Sequence, residues 1–249
     1  MILNESAIVS VHHALLANGS LGDAYSRAGL GCVQLIEKVA RSRGRHINGR
    51  AEIAVVLDLG ARMVNSCGAA GRLILCGYWS PAAHQCRDIA ECHQLVEYFR
   101  LHPERAADWL NATGKTRFKG FKFGNVQTIL LNTPSAKDVG DVKVAFDFYS
   151  NVGSHPSIEG LSLHMTADGI KNIGPTANPK RFLVFAADLW AYMTRATLRF
   201  VDTVEHLMPD HPKIATEFRY EFAVVLGWQK FLSPIDADDI TNWIAATPA

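Results

Sequence analysis

No pair of cysteines at C-x-x-C spacing occurs in this chain, and its five cysteines (Cys32, Cys67, Cys76, Cys86, Cys92) are an odd number. That speaks against a disulfide framework or a zinc ribbon and fits reduced thiols in a cytoplasm, buried as small apolar side chains. Excess charge is lacking too. With a formal net charge of +1 at pH 7, no global attraction to nucleic acid or anionic lipid is expected, so any such binding must come from a local patch. Apolar runs such as AEIAVVLDLGARMV are broken by charges well before the ~20 residues a membrane span needs. The opening MILNESAIVSVHHALLANGS has neither a basic n-region nor an unbroken apolar core, so no signal peptide is expected. The HExxH, glutamate-x-x-histidine, GxSxG and GxGxxG patterns are missing. Gly114-Lys115-Thr116 is no phosphate loop, because Trp109 stands where the upstream glycine is required. A metal, a nucleotide cofactor and a membrane partner are therefore not expected.

What is present is helical periodicity. The chain has 249 residues, 48% hydrophobic, enough for a sizeable core. Leu30, Val33, Ile36 and Ala40 recur at helical spacing from Asp23 to about Arg43, with Arg41, Arg43 and Arg45 at the end the helix dipole favours. Further helices are expected over about 50–78 and 82–101, over PERAADWL, over AKDVGDVKVAFDFYSNV, over the long apolar stretch 177–208, and in two closing segments. Residues 111–136 read as an irregular basic and aromatic loop. Alternation around Asp168-Gly169 reads as a small β-hairpin near 161–174. The expected architecture is one all-α domain over 1–249, an up-and-down helical bundle with that hairpin inserted and with 1–20 loosely attached.

Three stretches carry groups suited to chemistry. On the helix His84–Arg100, Arg87 and Glu91 share one edge with His84, while His93, Glu97 and Arg100 take the opposite edge. Asp88 projects within the apolar stripe. A buried carboxylate there needs a cationic or hydrogen-bonding partner from another helix. Arg87, Asp88 and Glu91 either line a shared polar pocket or form an internal clamp beside a surface pair. In YSNVGSHPS, Pro156 holds His155 in extended geometry and ends the helix, with Ser150 and Ser154 placed to orient the ring. The plainer alternative has these groups bonding helix-end carbonyls. In TGKTRFKGFKFGN, Lys115, Arg117, Lys119 and Lys122 interleave with Phe118, Phe121 and Phe123 and no acid intervenes. Basic groups among aromatics suit phosphate contact with base stacking; the alternative is a loop pinned by its phenylalanines, lysines in water.

The order RDIAE…LVEYF…PERAADWL, then FYSNVGSHPS, then a Gly-Pro turn, resembles bacterial helical proteins of unknown function that are loosely HEPN-like, over roughly residues 24–206. HEPN ribonucleases resemble one another in an Arg, a polar residue and a His, with four to six residues between the Arg and the His, which Arg87, Asp88 and His93 match here. Arg41–His46 and Arg199–His206 also fall within that range of spacings, without an acid after the Arg. The resemblance implies a nucleic-acid-directed protein, a metal-independent endoribonuclease of the toxin or defence type. RNA would be its ligand, with a homodimer and a cognate antitoxin or partner protein. Its site would use Arg87, Asp88, Glu91, Ser150 and an imidazole, His93 or His155. Such cleavage needs a base for the 2′-hydroxyl and a cation for the phosphate, which His and Arg supply. Six residues of helix set Arg87 and His93 ~9 Å and about 120° apart, so they converge only across a groove or a dimer interface. The competing expectation is a non-catalytic dimeric helical binding or adaptor module. A small-molecule pocket between helices is a third.

Overall fold

Three long helices, α3 (Ala51–Leu75), α4 (Trp79–Leu101) and α10 (Pro179–Leu207), pack against one another and carry the core. The computed structural model describes residues 5–17, 20–154, 157–164 and 174–231. Around the central three are α1 (Glu5–Ala17), α2 (Ser20–Gly44), α5 (Arg105–Asn111), α6 (Gly114–Phe121), α7 (Phe123–Leu130), α8 (Ala136–Tyr149), α9 (Ile158–Ser162), α11 (Ile214–Glu217) and α12 (Arg219–Phe231). A π-helical turn, Ser150–Ser154, continues α8. Every regular element among the described residues is helical, so the all-α expectation holds at that level.

The reasons are local first and tertiary second. Asn178 caps α10 by accepting from the Arg181 backbone N–H at 3.0 Å, and Pro179 occupies the first helical position, where its missing N–H costs nothing. The α3–α4 turn is a left-handed Gly77 (φ 79°), whose carbonyl accepts from the Thr176 N–H. A Cβ there would lie 2.4 Å from the Thr176 carbonyl, so both the dihedral and the close approach require glycine. Met63, Ile74, Ile89, Phe99, Phe182 and Phe200 are fully buried where the three helices meet. Arg43, almost wholly buried, ties α2 to α11 through Glu217 (2.6 Å) and the Pro212 carbonyl (2.8 Å). Of the described helices, α3 alone is long and apolar enough to cross a membrane, and most of its apolar window is buried inside the protein.

Three expectations are corrected. Residues 5–17 are not loosely attached. His12 is fully buried, its Nδ1 lies 2.8 Å from the Leu75 carbonyl and its ring stacks on Phe182 at 4.4 Å; the Tyr78 hydroxyl donates to Glu5 at 2.6 Å. Partners from α3 and α10 hold this helix, and they are invisible in its own periodicity. Residues 111–136 are not an irregular loop, since α6 and α7 occupy most of them. Val126, Gln127 and Leu130, at helical spacing, are buried against α4. Leu161 and Ser162, where the hairpin was to begin, belong to α9, because Ser157 caps that helix by accepting from the Gly160 N–H at 2.9 Å. Asp168-Gly169 and the closing segment after Phe231 lie outside the described residues.

Candidate functional site

The α4 helix presents different residues to two cavities. Arg87, Glu91 and Gln94, at i, i+4 and i+7, open on a cavity of about 630 Å3 walled by α7 and α8 and lined further by Trp109, Phe121 and Lys122. His93 opens on the other, about 510 Å3, between α8, α10 and the α11–α12 corner. Arg87 and His93 are therefore not brought together, as the rise of ~9 Å and the turn of about 120° between them dictate. His93 is buried, and burial together with the neighbouring Arg199 cation pushes its pKa down to about 4. It stays neutral near pH 7.

Around Arg87 the structure is specific. Its Nη2 donates to Glu91 at 2.8 Å and its Nη1 to the Ser154 hydroxyl at 3.2 Å. That hydroxyl also lies 2.9 Å from Nδ1 of His84. The guanidinium sits over Phe146 (4.9 Å), which stacks on Phe123 with ring centroids 3.6 Å apart and planes at 7°. The layered Arg87–Phe146–Phe123 stack thus joins α4, α8 and the first residue of α7. The π turn reaches α4 because residue 153 is glycine. A Cβ there would lie 2.7 Å from the His84 backbone nitrogen. The Ser80 hydroxyl adds a bond to the Val152 carbonyl at 3.0 Å.

Asp88 takes no part in this cavity. It pairs with Arg62 of α3, whose Nε lies 3.0 and 2.9 Å from its two oxygens, and it accepts from Ser66 at 2.6 Å. Burial alone would raise its pKa, but these bonds and the Arg62 charge hold it below the usual carboxylate value. Asp88 is thus the interhelical clamp. Ser150 is buried with its hydroxyl unpartnered, and His155 lies outside the described residues. Lys115, Lys119 and Lys122 are exposed on and just after α6, while the side chains of Arg117 and Phe118 lie outside the described part. Phe121 packs on Tyr98 and Phe99 at 6.0 and 6.1 Å, pinning α6 to the end of α4. Sequence reasoning missed Gln94, Gln127 and Phe146. The signal for Gln94 was available, since it stands seven residues after Arg87 on the same helical face.

Among the described residues no three His, Cys, Asp or Glu side chains are grouped to hold a metal ion. Comparisons with protein-family models, curated proteins and solved structures find no match to the chain. The site's chemistry must therefore be argued from its own geometry.

Proposed function

We propose that this chain is a nucleic-acid-directed protein, HEPN-like in kind, whose strand-binding surface is the cavity between α4, α7 and α8 together with the exposed lysines of α6. The observation that carries this reading is a convergence. Arg87 on α4 and the basic, aromatic 113–123 segment are far apart in sequence, yet Arg87, Phe121, Lys122 and Phe123 line one cavity. A cation next to stacked aromatic rings suits a phosphate with an adjacent unstacked base. Lys115 and Lys119 extend the positive surface along α6, although the net charge of the chain is only +1.

A catalytic version, a metal-independent endoribonuclease, is favoured by one further observation. The Ser154 hydroxyl brings the His84 imidazole and the Arg87 guanidinium onto a single atom. An imidazole as base and a guanidinium facing the phosphate are the two groups that chemistry needs. His84, joined to Arg87 through Ser154 beside the cavity and not in its lining, would serve as the imidazole in place of His93, which lines another cavity. The test is cleavage of a mixed-sequence RNA in EDTA by wild type, Arg87→Ala and His84→Ala. Each variant should lose about 100-fold or more in rate. RNA bound but left intact by wild type would leave the binding reading and remove the catalytic one.

A further inference from the structure

Gln94 of α4 and Gln127 of α7 are the anomaly in this cavity. Each is more than nine-tenths buried, at 2% and 6% exposure, and each lines it. Neither carboxamide makes a hydrogen bond among the described residues, and the buried Nε2 of both is unpartnered. Nε of Arg87, buried in the same wall, has no acceptor either. Buried polar side-chain atoms nearly always have a partner, and an unpaired one costs about 1–3 kcal/mol. Three residues that line one cavity thus each hold an unpaired polar atom buried in its wall, which marks a place that an occupant could complete by a small turn of the side chains.

The lining defines that occupant. A free carboxamide offers a donor beside an acceptor in one plane, the pattern of a nucleobase edge. The Arg87–Phe146–Phe123 stack supplies an aromatic wall. A volume of about 630 Å3 lies in the roughly 300–1,000 Å3 range of small-molecule sites. We propose that the cavity is a nucleobase pocket, holding one base edge-on against Gln94 and Gln127, with Arg87 Nε donating to a base oxygen or ring nitrogen. The base comes either from a free nucleotide or from a strand with one residue turned out of its stack. This deepens the nucleic-acid reading and rests on it only for the second source.

The experiment is calorimetric titration of the full chain with AMP, GMP, UMP, CMP and ribose 5-phosphate, repeated on Gln94→Leu and Gln127→Leu. At least one nucleotide should bind and ribose 5-phosphate should not. Each leucine variant should bind at least tenfold more weakly, with an unchanged or higher melting temperature, because it removes an unsatisfied polar group. If a leucine variant does not fold, Gln94→Glu keeps the shape, replaces the donor by an acceptor and should weaken binding likewise. No binding by any of the four nucleotides, or equal binding by folded variants, overturns the proposal and leaves ordered water as the only partner of the carboxamides. Parallel titrations with single-stranded RNA separate the two readings. RNA bound equally by wild type and glutamine variants removes the pocket but keeps the strand surface. Nucleotides bound without RNA keep the pocket and remove the strand surface.

Discussion

His93 and Asp188 show how single residues set this protein's response to pH. Burial first, then Arg199, holds the His93 pKa at about 4, well below the ordinary 6.5 of an imidazole; His12 is also lowered, mainly by burial. A neutral buried imidazole contributes stability that is fully present above about pH 6.5 and is lost as pH falls through about 4, because the unfolded chain takes up the proton first. Asp188 on α10 acts oppositely. It is half-buried and makes no hydrogen bond or ion pair among the described residues, and burial raises its pKa to about 6. It favours the fold when protonated, and that contribution is lost as pH rises through about 6. Because the two effects oppose each other between pH 4 and 6.5, the wild-type profile alone does not separate them. Urea titrations of His93→Leu should show a shallower loss of stability between pH 6.5 and 4 than wild type. An unchanged slope would mean that His93 is not held neutral. Asp188→Asn should raise stability at pH 7 by about 1–2 kcal/mol, and a decrease would reveal a partner for that carboxylate.

At the scale of elements, the junction between α4 and the π turn is the part most open to a single substitution. Gly153→Val puts side-chain atoms where the His84 nitrogen and Ala83 already stand, at 2.7 and 2.9 Å from a Cβ. The turn must then lift from α4, carrying Ser154 away from His84 and Arg87. A loss of roughly 1–3 kcal/mol in stability is expected, together with faster exchange of the amides around 150–154; wild-type exchange there would show that the contact is not structural. The sequence made the long helices legible, since Ile36, Ile89 and Phe99 each recur with apolar neighbours at helical spacing. It also made Asp88 legible as a charge in an apolar stripe that needed an interhelical partner, here Arg62. It did not reveal α1, whose buried His12 stacks on Phe182, about two-thirds of the chain away. Nor did it reveal α6 and α7, because glycines and lysines mask a pattern that only packing against α4 makes decisive.

For the whole molecule, core and site share one scaffold. The face of α4 that carries Ile89 and Phe99 is buried against α3 and α10, so Arg87, Glu91 and Gln94 are held on a helix fixed by the core and not on a loop. Such a base suits a preorganised site. The pairing of Arg87 with the 113–123 segment could not be read from the chain, because it is produced by the way α6 and α7 fold back across the end of α4. The central claim, that this surface receives a nucleic-acid strand, is tested most directly by fluorescence anisotropy of a labelled single-stranded RNA at two salt concentrations. Wild type and Arg87→Ala are compared after thermal melts confirm that both are folded. The expected result is salt-sensitive binding by wild type, weakened about tenfold or more by Arg87→Ala. No binding by wild type, or equal binding by both proteins, would contradict it.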